Sequence, residues 1–285
     1  MIVVTGGAGR FGRLVVRSLL ARGVPAAGLA VAVRRPEAAA EAAALGVAVR
    51  TADYDRPDTL AAAFDGAERL LLVSANGADD RRVVQHRAAA AAAARAGVGL
   101  VAYTSITRAD ANPLGSARVH RDAEAALAAH RLPAVLLRNG WYTENYTATL
   151  CGAAERGEIV GCAGDGRIAS ATRADLAEAA AAVLTRDGQA GRVYELTGET
   201  AWSLPELAAA ATVRSGREVV YTDLAPDRYA DYLARTGLPP ALVDALVDAE
   251  VWVAKGALAH TSPDLRGLLG RPPAPLHTAV AAALA

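Results

Sequence analysis

The run VVTGGAGRFG near the start of the chain constrains the fold more than any other feature. Gly6, Gly9 and Gly12 follow a short β-branched strand and lead directly into a helical segment. Glycines placed there let the backbone turn sharply and approach a pyrophosphate, and the helix that follows presents unpaired N–H groups to the negative charge. Gly7, Gly9 and Gly12 also satisfy the literal G-x-G-x-x-G pattern. Alone that pattern is weak, but between a first strand and a first helix it predicts dinucleotide binding.

The first half of the chain keeps the same rhythm. Strands read at Ile2–Thr5, Leu29–Arg34, Val47–Thr51, Leu70–Val73, Leu100–Thr104 and Ala134–Leu137. Helices read at Phe11–Ala21, Glu37–Leu45, Asp58–Phe64, Asp80–Ala96 and Ala117–Ala129. The strands are continuous apolar runs, which suits a parallel sheet buried on both faces. Their alternation with helices predicts an α/β fold, a Rossmann-like doubly wound parallel sheet. After Tyr146 the rhythm changes. Thr172 with Asp175 and Ser203 with Glu206 read as helix starts of the capping-box kind. RVYELTG reads as one more strand, and the chain from Asp227 to Ala285 as mostly helical. The expected organisation is a dinucleotide-binding domain over residues 1–146 and a smaller, mostly helical C-terminal lobe over 147–285. That lobe packs on the sheet without folding separately and contributes to a substrate cleft.

At 285 residues and 53% hydrophobic, the chain can bury a sizeable core. Its formal net charge is zero and its basic residues are scattered, which argues against a nucleic-acid surface. No apolar run reaches the roughly 18 residues that span a bilayer. MIVVTGGAG enters a strand directly, without the basic region of a secretory signal. Cys151 and Cys162 fit no metal or redox spacing and read as reduced thiols. The expectation is a soluble cytoplasmic protein with no nucleic-acid or membrane partner, no metal and no flavin.

The end of the second strand distinguishes NAD from NADP. A carboxylate there would hold the ribose 2′-OH, whereas an arginine would hold a 2′-phosphate. The sequence reads VAVRRPE, with Arg34 and Arg35 and no acid before Glu37, which favours NADP. A Tyr-x-x-x-Lys pair, used by many such folds for acid–base chemistry, is missing. Ser105 has the position of the serine that accompanies that pair, but Tyr103 is followed by Thr107, and the only lysine is Lys255. A conventional alcohol dehydrogenase or sugar epimerase is thereby disfavoured. His120 reads either as a proton donor or ribose contact, or as a hydrogen-bonded structural residue; His86 reads the same way.

RNGWYTENY, from Arg138 to Tyr146, concentrates three aromatic side chains within six residues of a chain that is 5% aromatic. It follows the sixth strand, at the carboxyl end where ligands of open α/β sheets bind. Trp141, Tyr142 and Tyr146 are expected to cover a nicotinamide and stack on a flat substrate. Asn139 and Asn145 would fix polar edges, and Gly140 would let the backbone approach. The alternative is a hydrophobic plug joining the two lobes.

The chain resembles the bacterial NAD(P)H:quinone oxidoreductase type 2 group, an NmrA-related atypical branch of the short-chain dehydrogenase/reductase superfamily. TGGAGRFG, AVRRP, QHR, AYTS, NPLG, LRNGWYTENY, AGDGRIASATRAD, VYELTG and AKGAL carry the likeness along nearly the whole length. The resemblance implies NADPH bound along Gly6, Gly7, Ala8, Gly9, Arg10, Phe11 and Gly12, with Arg34 as the second-strand arginine. It implies further contacts at Ser74, Ala75 and Asn76, where ANGADD is less serine-rich than the family pattern. The segment Asn139, Gly140, Trp141, Tyr142, Thr143 and Glu144 would lie against the nicotinamide. It also implies two-electron hydride transfer to a quinone, a reaction that needs positioning more than a strong acid. Tyr142, Asn139 and Ser105 are the candidate donors to the developing oxyanion. Two other readings stand beside it: a non-catalytic NmrA-like NADP(H) sensor, and a reductase of another planar acceptor such as an azo or nitro compound.

Overall fold

The computed structural model describes residues 1–285. The first half runs β1 (Ile2–Thr5), α1 (Arg10–Ala21), β2 (Leu29–Val33), α2 (Ala40–Ala44), β3 (Ala48–Thr51), α3 (Pro57–Phe64), β4 (Arg69–Leu72), α4 (Asp79–Arg95), β5 (Leu100–Ile106), α5 (Ala117–Ala129) and β6 (Ala134–Asn139). The chain continues through α6 (Glu144–Thr147), α7 (Leu150–Arg156), β7 (Glu158–Gly161), β8 (Arg167–Ile168), α8 (Arg173–Thr185), β9 (Val193–Leu196) and β10 (Trp202–Ser203). It ends with α9 (Leu204–Ser215), β11 (Val220–Asp223), α10 (Pro226–Arg235), α11 (Pro240–Ala254), α12 (Asp264–Leu269) and α13 (Leu276–Ala283). No helix is long and apolar enough to cross a membrane.

The main sheet is parallel throughout, in the order β3-β2-β1-β4-β5-β6-β9. It is the doubly wound Rossmann-like arrangement that the strand–helix alternation predicts. Successive strand residues point to opposite faces, so Val3, Leu70 and Leu72 join one buried cluster with Phe64, Tyr103 and Leu127. Val4, Val31 and Leu71 join another with Val15, Leu19 and Leu176. Both faces are covered, which is why the strands carry no polar alternation. The strand order reverses between β1 and β4, and this switch point opens a crevice at the strands' carboxyl ends.

The residues after 146 are woven into these layers. β9 adds the last strand beside β6, and α8 lies against α1 through a run of buried alanines. The smaller cluster of the C-terminal part gathers Ile168, Trp202, Leu204, Leu207 and Val253, with β7 paired to β11 and β8 to β10. Glu250 is buried there and accepts from the Cys162 N–H at 2.5 Å and the Tyr229 hydroxyl at 3.2 Å.

Most element boundaries agree with the sequence pattern within a residue or two, and the departures have physical causes. β5 and β6 run on to Ile106 and Asn139, past the end of their apolar runs. Backbone pairing of Ser105 with Arg138 and of Ile106 with Asn139 continues whatever the side chains are. The helix expected over Glu37–Leu45 is a 3₁₀ turn at Pro36–Ala39 followed by α2, because Ala39 leaves helical geometry (φ −102°, ψ 20°) and neither start has a capping side chain. At α8 the Thr172 hydroxyl accepts the Asp175 N–H at 3.1 Å. At α9 the Ser203–Glu206 capping box is complete in both directions.

The turn after β1 is tight. Gly6 sits at φ +62°, a conformation that side chains disfavour. A Cβ on Gly12 would lie 2.4 Å from the Gly6 carbonyl oxygen and 2.7 Å from the Gly7 Cα. A Cβ on Gly7 would lie 2.4 Å from Val31 Cγ1. Gly12→Ala should therefore push α1 off the turn and cost roughly 1–3 kcal/mol, the range for overpacking a tight contact. Chemical denaturation checks this, and an unchanged midpoint would contradict the close approach.

Candidate functional site

A cleft of about 580 Å³ opens at the switch point. Its walls are the glycine turn and the start of α1, the residues just after β2, β3 and β4, and two side chains from farther along, Tyr142 and Arg173. Its charged lining is Arg10, Arg34, Arg35 and Arg173 against a single acid, Asp53. Arg10, Arg34 and Arg35 are exposed and make no ion pair within the chain. A concavity with this balance selects a ligand carrying several negative charges. A tight glycine turn feeding a helix N-terminus is the complementary feature for a pyrophosphate. The residues present thus fit a phosphorylated dinucleotide.

The floor of the cleft is a set of hydrogen bonds between strand ends. The Thr5 hydroxyl donates to the Leu71 carbonyl at 3.0 Å and accepts from the Tyr54 hydroxyl at 2.7 Å and the Val73 N–H at 2.8 Å. Burial pushes the Tyr54 phenol well up, so it acts as a neutral donor. Near Arg34 stands Asp55, hydrogen-bonded by Arg81 and, at 2.8 Å, by Gln85; Arg81 first, and then Gln85, hold its carboxyl down to about 2.

Ser74 and Ala75 are held from behind. The Ser74 N–H donates to Thr104 Oγ1 at 2.8 Å, and the Ala75 N–H donates to His86 Nε2 at 2.9 Å. Accepting at Nε2 puts the His86 proton on Nδ1, 3.5 Å from the Tyr103 hydroxyl. That hydroxyl is also 3.1 Å from His120 Nδ1, and Arg82 reaches both Ser74 Oγ at 3.2 Å and His120 Nε2 at 3.4 Å. Burial, reinforced by the Arg82 charge, depresses His86 to about 4 and His120 to about 3. Of the two readings of His120, the geometry is that of the hydrogen-bonded structural residue: it faces Tyr103 and Arg82 and does not line the cleft.

The run from Arg138 to Tyr146 divides among several surroundings. Ser105, on the neighbouring strand, donates to Glu124 at 2.5 Å. Glu124 is in turn gripped by Arg138, which also pairs with Glu195 at 3.2 Å and with Asp110. Ser105 is thus committed to this ionic knot and does not line the cleft. Asn139 is buried, and neither its Oδ1 nor its Nδ2 has a hydrogen-bond partner. Gly140 is squeezed between backbones: a Cβ there would lie 3.0 Å from the Leu196 carbonyl oxygen and 3.2 Å from that of Ala169. Trp141 packs on the apolar cluster of the C-terminal part, and Tyr146 stands edge-on to Trp202 at 5.4 Å. Only Tyr142 of the aromatic run faces the cleft. It lies parallel to Phe11 (6.3 Å, 15°), with the Arg173 guanidinium over its ring at 4.5 Å. Burial raises its phenol pKa, and the neighbouring Asn139 amide and Arg173 charge offset part of that rise. Thr143 meets Ser170 at 2.7 Å, and Glu144 accepts from the Arg173 backbone N–H at 2.9 and 3.1 Å.

The structure therefore brings Gly6, Ala8, Gly9, Arg10, Phe11, Gly12, Arg34, Ser74, Ala75, Asn76 and Tyr142 to one cleft. Gly7 lies beneath the turn. Asn139, Gly140, Trp141, Thr143, Glu144 and Ser105 lie outside the lining. Sequence reasoning missed Asp53, Tyr54, Gln85 and Arg173. Arg173 stands directly after the helix-starting Thr172, and nothing in ATRAD signals that this helix begins beside the sixth strand's end.

Comparison with known proteins agrees with this geometry. The model of a family described as NAD(P)H-binding matches residues 6–187. Quinone oxidoreductase 2 of Escherichia coli (strain K12) is 45% identical over 272 residues, covering 95% of this chain and 94% of that protein. A crystal structure of the NADPH-dependent quinone oxidoreductase from Escherichia coli, complexed with NADPH, matches with a TM-score of 0.94, covering 98% of each chain at 45% identity. The triphenylmethane reductase of Citrobacter sp., complexed with NADP(H), matches with a TM-score of 0.96 at 35% identity, covering 99% of this chain and 100% of that one. An NAD(P)H azoreductase of Xenophilus azovorans is 30% identical, covering 95% of this chain and 94% of that protein.

The buried histidines make a pH dependence. Their pKa values lie below the ordinary 6.5, so an unfolded chain takes up protons that the folded one refuses. Their stabilising effect is intact above pH 6.5 and is lost as pH falls toward about 4 for His86 and about 3 for His120. Each histidine adds a slope of up to about 1.4 kcal/mol per pH unit in that window. His120→Gln should make the acid limb of a urea-denaturation series shallower than wild type; identical slopes would contradict the assignment.

Proposed function

We propose, because this chain belongs to the NAD(P)H-binding family and stands there with quinone oxidoreductase 2, that it is an NADPH-dependent reductase that passes a hydride to a quinone. The observation that carries this reading is the cleft itself, where four arginines face one aspartate over a glycine turn at the sheet's switch point. Arg34, free of any partner in the chain and placed just beyond β2, suits a 2′-phosphate and so favours NADPH over NADH.

When bound, the nicotinamide supplies the hydride. The chain's own contribution is to position and to stabilise. The turn at Gly6–Gly12 and the first N–H groups of α1 receive the pyrophosphate. Tyr142 gives the cleft an aromatic wall against which a flat ring can lie. Holding donor and acceptor in contact is worth on the order of 7–11 kcal/mol at best. The Tyr142 phenol, kept neutral and facing the cleft, is the hydrogen-bond donor for an oxyanion developing on the acceptor, with the buried Asn139 amide behind it. No Tyr–Lys acid–base pair is needed, because a reduced quinone is delocalised and takes its proton from water. The triphenylmethane and azo reductases among the relatives favour a second reading, in which the acceptor is another extended planar molecule.

The reading is tested by mixing purified protein with NADPH and a simple benzoquinone or naphthoquinone and following the reduced-nicotinamide absorbance. Turnover above the uncatalysed rate is expected; binding of NADPH without consumption would favour a dinucleotide sensor, and consumption only with dye substrates the second reading. Arg34→Ala should raise KM for NADPH about 10- to 100-fold, the loss of a charge-assisted contact, and leave KM for NADH nearly unchanged.

A further inference from the structure

We propose that Arg173 is a second anchor for the cofactor's pyrophosphate, supplied by the C-terminal half of the chain. The proposal rests on the reading that the cleft holds NADPH. Every other residue of the cleft wall lies at or before Tyr142, so Arg173 is the only group that the later part of the chain contributes.

Its side chain is 17% exposed, yet it makes a single hydrogen bond, from Nη2 to Asn145 Oδ1 at 2.9 Å. Its ion pair with Glu144 is long, 3.5 Å from Nη1, and both Glu144 oxygens also accept from the Arg173 backbone N–H at 2.9 and 3.1 Å. A guanidinium on the cleft wall with most of its donors unused is free to take the oxygens of an anion. The ring of Tyr142, its centroid 4.5 Å from the guanidinium carbon, lies beneath the cation, and Tyr142 is itself stacked on Phe11 in the first turn of α1. The series Arg173–Tyr142–Phe11 thus links this cation to the first turn of α1, the terminus that would receive a pyrophosphate. Arg34 and Arg35 lie beyond β2, at the end suited to the 2′-phosphate. Arginine's planar fork matches phosphate oxygens in a way that a lysine's point charge does not. The pyrophosphate would then be held between α1 from the first half and the start of α8 from the second.

The test titrates wild type, Arg173→Gln and Arg173→Lys, by calorimetry, with NADPH, 2′-phospho-ADP-ribose and adenosine 2′-monophosphate. Arg173→Gln should weaken NADPH and 2′-phospho-ADP-ribose alike, by about 10- to 100-fold, and adenosine 2′-monophosphate by less than about threefold. Arg173→Lys should follow the same order of ligands with a smaller loss. A loss confined to NADPH would mean that Arg173 serves the nicotinamide, equal losses for all three ligands would mean a structural role, and no loss would mean no contact; each overturns the proposal. Failure of wild type to bind NADPH or adenosine 2′-monophosphate would remove the cofactor reading itself.

Discussion

The contact on which this molecule turns is the one between the first helix and the strand before it. The Cα of Gly12 approaches the Gly6 carbonyl and Gly7 closely enough that no side-chain carbon fits between, and Gly7 in turn lies against Val31 of β2. Only this approach directs the open end of α1 at the crevice between β1 and β4. The consequences spread outward. α1 so placed presents Val15, Val16 and Leu19 to the sheet, and α8 packs beside it through alanines small enough to let the helices close. The start of α8, carrying Arg173, is then fixed at the rim of the same crevice.

A second constraint lies beneath the β4 loop. The chain's two buried histidines and Tyr103 are joined to one another and to the backbone of Ala75, so groups that could move protons near neutrality are committed to holding a loop. Both imidazoles are held neutral by burial. The acid–base capacity missing from the cleft has not moved elsewhere within reach of it. What faces the cleft is two phenols, four guanidiniums and the carboxylate of Asp53, a set suited to orienting a cofactor and donating hydrogen bonds, and without the Tyr–Lys pair that takes a proton from an alcohol.

The sheet was legible because both of its faces are buried: continuous apolar runs such as LAVAV and RLLL leave few alternatives once helices alternate with them. The glycine turn was legible because its constraint is local, four glycines within seven residues at one strand end. What could not be read was any relation set by long-range packing. The α8 start is an ordinary capped helix until β6 and α1 place Tyr142 next to it. Asp53, Tyr54 and Gln85 carry no local signal of a ligand contact, and only the closing of β3 and α4 on the switch point brings them to the cleft that Arg34 lines. The 3₁₀ start before α2 shows the opposite failure, where helix-favouring composition concealed uncapped ends.

The concentration of aromatic and polar residues after β6 has a reason that neither a binding wall nor a plug supplies by itself. Three structural layers meet at that strand end, and consecutive residues serve each in turn. Arg138 locks β5, α5 and β9 through Glu124 and Glu195. Gly140 lets the backbones at Leu196 and Ala169 close over the strand, while Trp141 anchors the apolar cluster of the C-terminal part. Tyr142 turns the other way, into the cleft, and Glu144 secures the α8 backbone behind it. A seam of this kind needs large side chains pointing in opposite directions at adjacent positions, and large amphipathic residues meet that need with few rotatable bonds. Any displacement of the lobe that moves Trp141 must therefore move Tyr142 as well, so the aromatic wall of the cleft and the packing of the second half are mechanically one unit.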